Sequence, residues 1–378
     1  LRQSTLAGIK IRGKQERLIT TLFADDTIVY LDDSDDFGML LKVLDEWCIA
    51  AGAKFNIAKT EMIPIGTPDH RDRVRANRFV NGLGGTLIPD HIKIAQEGEP
   101  IRTLGAWVGN GVDQVDTWSR TLEKIDAALD RWELGHPTME GRRLIILMVV
   151  GGMTQYLATV QGMPEDVEHR LERRVQEFLW AEKVRVSVNK ETVYAPADIG
   201  GKDLLDIVAR NEAIAVMWLK TYLSFGPDRP LWCFVADEIL AKKAVLTDFN
   251  VDEAMRVNAY LQSWTPYQSS WDLRSKDIAG MMSVGRKYGV TMDAIAVSRE
   301  NQGNMVIWYH RFSNGTKTLF NSAREVVKCL KQKHRVRLVK DAVQLAKKNG
   351  DTGASERTTL QMLVVPSDKV NSTLRSPA

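Results

Sequence analysis

The sequence predicts an α+β fold in which short strands gather around one helix and the remainder of the chain is mainly helical. Three observations carry that expectation. Between Leu22 and Leu31 the chain reads L-F-A-D-D-T-I-V-Y-L, two β-prone runs divided by adjacent carboxylates, which is the pattern of a tight hairpin with Asp25 and Asp26 at its tip. From there Phe37, Leu40, Leu41, Leu44, Trp47, Cys48 and Ala51 recur at helical spacing. Beyond about Gln114 the short alternating patterns give way to long helical stripes.

The elements follow in order along the chain. Ser34 offers an N-cap for the first helix and Gly52 a C-terminal stop. Residues 54–57 and 60–65 read as short strands, and 103–108 as another that ends in the turn Asn110-Gly111. Trp118, Leu122, Ile125, Leu129 and Trp132 share one helical stripe, and Thr138 caps a second helix after Pro137. A third helix follows Pro164, with Val167, Leu171, Val175, Phe178 and Leu179 inward and His169, Arg170, Arg173 and Arg174 outward. Gly200-Gly201 interrupts the run before the most apolar helix, 204–223, and the turn at 225–230 closes it. Mixed helical pieces then lead to a strand candidate at 305–312, closed by Asn314-Gly315. The expected division is 1–112, 113–224, 225–348 and a polar, flexible tail, 349–378.

Composition excludes several classes of protein. With 378 residues, 44% of them hydrophobic and 26% charged, the chain has apolar material for one large or two ordinary cores and is no disordered tail. A net charge of +3 rules out a globally basic nucleic-acid coat, so any polyanion site is local. Cys48, Cys233 and Cys329 are far apart and lack metal-ligand spacing, as do His136, His169, His310 and His334, so neither a disulfide framework nor a zinc ribbon is expected. This cysteine usage points to a reducing, intracellular compartment. The longest apolar run, 144–153, is short for a bilayer, so no membrane partner is expected.

Adjacent carboxylates between strands that want burial are an unusual arrangement, because like charges repel and each resists desolvation. A divalent cation resolves the conflict, and hard oxygen donors of this kind select Mg²⁺ or Mn²⁺. A solvated turn is the plain alternative. The cluster Asp32, Asp33, Asp35 and Asp36 precedes a helix and is read as cap and dipole partner rather than as a second cation site. Trp47, Trp118, Trp132, Trp180 and Trp218 lie on apolar helical stripes and are read as core rather than as base-stacking groups.

The string Phe23-Ala24-Asp25-Asp26-Thr27 resembles the motif that carries metal-binding aspartates in reverse transcriptases of non-LTR, LINE-like retrotransposons. Lys54-Phe55-Asn56-Ile57-Ala58-Lys59-Thr60-Glu61 resembles that family's next palm motif, and Ile101-Arg102-Thr103-Leu104-Gly105 its primer-grip hairpin. The later helices, with Gly200-Gly201-Lys202-Asp203-Leu204-Leu205, are similar to the thumb and post-thumb segment of fungal members, and the likeness is poor after Leu223. The resemblance implies a partial polymerase palm followed by a mainly helical thumb and a helical C-terminal extension. Asp25 would be a catalytic metal ligand, Asp26 would support the same metal, and Lys59 would stand near the phosphates of the incoming nucleotide. Phe23 would lie under the primer end, with Leu104 and Gly105 in the hairpin that positions it.

The implied reaction is RNA-directed DNA synthesis with Mg²⁺ (or Mn²⁺), deoxynucleotide triphosphates, an RNA template and a DNA primer, in the cytoplasm and nucleus. Arg170, Arg173 and Arg174 are candidates for the template–primer duplex. Eight cations against the single acid Asp341 between Lys328 and Lys348, including Lys331, Lys333, Arg335 and Arg337, make a second nucleic-acid candidate, with Val336, Val339, Val343 and Ala346 on the inner side of one helix. The family also requires an aspartate and a nucleotide-checking loop from earlier motifs, and the sequence offers no match to either, so the expectation is an N-terminally truncated fragment, inactive alone. A non-catalytic nucleic-acid-binding remnant is the alternative.

Overall fold

The computed structural model describes residues 1–14, 16–56, 59–180, 188–244, 251–266, 276–290, 302–309 and 324–348. They form two compact units, Leu1–Ala215 and Val216–Ala378. The expected tail 349–378, the far end of the 305–312 strand candidate with its Asn314-Gly315 turn, and His310 lie outside the described residues.

The first unit opens with the expected hairpin. Strands β1 (Thr20–Phe23) and β2 (Asp26–Val29) pair antiparallel, with Phe23 opposite Asp26. Helix α1 (Phe37–Ala51) ends at Gly52, whose left-handed backbone (φ 62°) lets its amide reach the Cys48 carbonyl. Its cap is Asp36 rather than Ser34: the Asp36 carboxylate accepts from the Gly38 amide at 2.8 Å, whereas the Ser34 hydroxyl donates to Asp32. Asp35 has a different task. It is buried and accepts from the amides of Ala7 (2.5 Å), Gly8 (3.0 Å) and Asp32 (2.8 Å), which ties the start of the chain to the segment between β2 and α1.

Residues 54–56 form no strand, Ile57 and Ala58 lie outside the described residues, and the 60–65 strand contracts to β3 (Glu61–Met62). Its partner is β4 (Lys93–Ile94), parallel and reached through α2 (Pro68–Asn77), which sequence patterning did not reveal because its apolar face is small. Arg71 and Arg75 of α2 both bind Glu97. Leu6, Ile19, Phe37, Leu40, Ile88, Ile92 and Ile94 make a small core under these elements.

The single strand expected at 103–108 is a hairpin, β5 (Ile101–Thr103) with β6 (Ala106–Val108). Leu104 (φ 49°) and Gly105 (φ 86°) supply two consecutive positive φ angles, the tight turn that matches strand twist. The helices that follow are α3 (Gln114–Glu133), α4 (Met139–Ile146), a π turn at Leu147–Gly151, α5 (Gly152–Gln161) and α6 (Glu165–Trp180). The expected inner residues of α6, and those of α3 except Trp132, which is exposed, pack together with Ile145, Ile146, Val149, Val150, Leu157 and Ala158. Met139–Gln161 has the length and hydropathy to cross a membrane, yet Ile145, Ile146, Val149, Val150, Leu157 and Ala158 belong to the largest core of the unit.

The short α7 (Lys190–Tyr194) and the Gly200-Gly201 pair lead to α8 (Ile207–Tyr222), within which the division between units falls. At Gly201 a Cβ would lie 1.8 Å from the Ala195 carbonyl oxygen, so only glycine fits. The second unit contains α9 (Leu231–Lys242), α10 (Lys276–Lys287), α11 (Arg324–Gln332) and α12 (Val339–Lys348). Its core holds a buried polar knot: Asp237 accepts from Arg229 (2.6 Å), the Tyr222 hydroxyl (2.7 Å) and Asn258 (2.9 Å). Burial pushes the neighbouring Cys233 thiol up to about 11, which keeps it protonated and inert. Val306 makes only an isolated bridge to Leu338, not the strand expected from 305.

Candidate nucleic-acid and metal site

The two hairpins carry five of the residues singled out in the sequence, Phe23, Asp25, Asp26, Leu104 and Gly105. At the first, Ala24 and Asp25 form the turn, Ala24 with φ 51°, and Asp26 is already the first residue of β2. Both carboxylates are exposed, as are Leu22 and Phe23, each 67% accessible. The tip therefore presents hard oxygen donors to solvent. Two adjacent carboxylates fit Mg²⁺ or Mn²⁺ as a partial ligand set that would leave most of the coordination shell to water. Among the described residues no group of three or more His, Cys, Asp or Glu converges to complete it. Lys59 is exposed in the short turn after α1, its amide bonded to the Asn56 carbonyl at 3.1 Å.

The second hairpin is held from behind. The Tyr156 hydroxyl of α5 donates to the Leu104 carbonyl in the turn, and Gln161 accepts from the Trp107 amide at 2.9 Å. Gln161 in turn donates to Thr117 on α3 (2.9 Å), so hairpin, α5 and α3 form one bonded assembly. Leu104 is exposed, and Gly105 sits where a Cβ would meet the Tyr156 ring at 3.0 Å. Sequence reasoning missed Tyr156 and Gln161, and nothing local could have found them, because each partner is more than fifty residues away.

The arginine candidates divide. Arg170 pairs with Asp126 at 2.9 Å, and Arg174 binds Asp126 (3.5 Å) and Asp130, so both lock α6 to α3. Arg173 is exposed. The expected cation-rich helix of 328–348 is two helices, because Arg335 adopts a positive φ (50°) that no α-helix continues through. Val336 and Val339 are buried as expected, against Met255, Ile307 and Trp308. Lys331 turns inward: its ammonium lies 4.5 Å from the centre of the Tyr309 ring and 5.0 Å from that of Trp308, and it donates to the Tyr309 hydroxyl at 2.9 Å. Lys333 and Arg335 are exposed and Arg337 half-buried.

The tryptophans are only in part core. Trp118 is fully buried and Trp180 partly so, but Trp47, Trp132 and Trp218 are exposed. Trp47 lies on the solvent side of α1, 5.3 Å from the Phe55 ring, and Trp132 ends α3 beyond its packed stripe.

Fold and hairpins define a mixed α+β protein with a mainly helical second part. No family model matches the chain. It is similar to the transposon TX1 uncharacterized 149 kDa protein of Xenopus laevis, with 22% identity over 248 residues, 62% of this chain and 17% of that protein. The chain thus spans about a sixth of the length of this curated relative, and the similarity supports a transposon-related protein.

Proposed function

We propose that this chain is part of the reverse transcriptase of a non-LTR retrotransposon, a palm portion carrying Asp25 and Asp26 followed by a helical thumb. The observation that carries the reading is the order of the two hairpins, a carboxylate tip first and a helix-anchored turn second, in a chain similar to a transposon protein. Asp25 and Asp26 would hold a divalent cation, which when bound would favour ionisation of the primer 3′-hydroxyl and steady the leaving pyrophosphate. Lys59 would offset charge on the nucleotide phosphates, and Leu104 and Gly105 would position the primer.

Two-metal transfer needs carboxylates converging from at least two strands, and this tip supplies one turn. The chain alone is therefore inactive in primer extension. Mn²⁺ binding followed by electron paramagnetic resonance tests the site: weak binding that vanishes in Asp25→Asn/Asp26→Asn is expected. Binding indifferent to that double variant refutes the metal role, and template-dependent extension that is lost in Asp25→Ala refutes the inactivity.

A binding remnant without catalysis is the second reading, supported by the exposed Lys333 and Arg335 between α11 and α12. It expects RNA affinity that falls with salt and survives Asp25→Ala/Asp26→Ala.

A further inference from the structure

Helices α4 and α5 run as one through the π turn, Met139–Gln161, and Leu144, Met148, Gly152, Tyr156 and Val160 recur along them at every fourth residue. All five are exposed, and the four with side chains are each 41–57% accessible. Every fourth residue of an α-helix creeps round the axis, and the wider π turn at Leu147–Gly151 turns the row back, so it keeps to one side of the helix. The opposite side is packed in the core through Ile145, Val149 and Leu157. Leu104 of the β5–β6 hairpin, also exposed, extends the row at its bond with Tyr156.

Two properties fit this row to a second copy of itself. The first is charge. From Leu144 to Pro164 the chain carries no charged residue, and Arg143, just before that stretch, is paired with Glu140 at 2.7 Å. A surface that meets its own copy about a two-fold axis brings like charges together near that axis, and an uncharged row carries no such penalty. A polyanion, by contrast, would find no cation on it. The second property is symmetry: Met148 and Tyr156 stand four residues to either side of Gly152, and Leu144 and Val160 stand eight, so the row reads alike from both ends. At its centre a Cβ on Gly152 would meet nothing within 4 Å, which leaves room for another backbone to approach. Fourth-residue ridges of two helices interlock at about −50°, the commonest crossing.

At roughly 100 Å² for each half-accessible side chain, the row and Leu104 can bury about 500 Å² per chain, or about 1,000 Å² for a pair. That is the lower edge of specific interfaces, so the pairing is weak and reversible, with a dissociation constant of about 10 μM.

We propose that two copies of this chain pair through this row, antiparallel and crossing at Gly152, with Met148 of each against Tyr156 of the other and Leu144 against Val160. The pairing goes beyond the polymerase reading and does not depend on it.

Sedimentation equilibrium of the whole chain, without divalent cations, tests it over about 1 to 100 μM, a range that brackets the expected constant. The mass should move from that of one chain to that of two. Gly152→Glu sets two carboxylates face to face at the crossing but meets open space within its own chain, so it should weaken pairing by about a hundredfold while leaving the melting temperature unchanged. In a Cys48→Ser/Cys329→Ser background, which keeps only the buried Cys233, Gly152→Cys should give a disulfide-linked pair on mild oxidation. Val160→Cys should not, because its two copies lie at opposite ends of an antiparallel row.

A chain that stays monomeric throughout the range overturns the pairing, and so does a dimer that survives Gly152→Glu, which would place the interface elsewhere. Linking of Val160→Cys as readily as Gly152→Cys overturns the antiparallel register. Flotation of a monomeric chain with neutral phosphatidylcholine vesicles, lost in Gly152→Glu, would give the row to a lipid surface and overturn its assignment to a second copy.

Discussion

Replacing Asp35 with alanine should loosen the start of the chain far more than loss of a surface acid would. The carboxylate is only 8% exposed and accepts from three backbone amides, those of Ala7, Gly8 and Asp32. Alanine leaves all three donors without their acceptor, and a buried amide so stranded costs about 1–3 kcal/mol. Partial access of water to Ala7 and Asp32 keeps the total near the low end, about 3–5 kcal/mol. Asp35→Asn retains one oxygen but turns an N–H₂ toward an N–H, and should cost about half as much. Amide hydrogen exchange read on peptides covering Ala7, Gly8 and Asp32 should show local opening rising about a hundredfold or more, at about 1.4 kcal/mol per tenfold. Protection at Ala7 and Gly8 that changes by less than about 1 kcal/mol in Asp35→Ala would refute the assignment of Asp35 as the tie.

Further expectations follow from other contacts. Gly201→Ala forces a Cβ to within 1.8 Å of the Ala195 carbonyl, so the α7–α8 connection must rebuild, and a drop of several degrees in the melting temperature checks this. Phe178→Ala, at a fully buried site, should destabilise the α3–α6 core by about 3–5 kcal/mol in urea titrations. Arg75 and Arg71 hold the Glu97 carboxyl below its usual range, so the stabilisation they share is present above that range and lost as pH falls through the lowered value. Melting temperatures between neutral pH and about pH 3 should show that acid loss, and Glu97→Gln should remove part of it. Cys233 should resist thiol reagents in the folded chain while Cys48 and Cys329, both partly accessible, react.

Helical stripes were readable because long amphipathic repeats average out local noise: every inner residue expected of α6 is buried, and α1 stops at Gly52 as glycine chemistry requires. The first hairpin was readable from its alternation and paired acids. Elements of two or three residues were not, since β3 and β4 are too short to show a period and owe their pairing to the α2 crossover. Turn chemistry hid the second hairpin from the reading of strand patterns, because Leu104 is an unusual residue for a positive φ and masks a two-residue loop inside an apolar run; only the resemblance put Leu104 and Gly105 in a hairpin, where they are. Charge reading was the weakest link to function. Arg170, Arg174 and Lys331 looked free in sequence and are committed to acids or aromatic rings.

The carboxylate hairpin has a consequence for how the molecule behaves in concentrated solution. Among the described residues β1 and β2 form a sheet of two strands with no further strand on either outer edge, and Leu22 and Phe23 stand exposed beside it. Such an edge is a template for adding strands, whether from another part of a longer polypeptide or from a neighbouring molecule. Two copies meeting edge to edge would bring four aspartates together, and their mutual repulsion acts as a gatekeeper against that stacking. The same acids that would hold a cation thereby keep the open edge from polymerising, and millimolar Mg²⁺ or Mn²⁺, by screening them, should favour self-association.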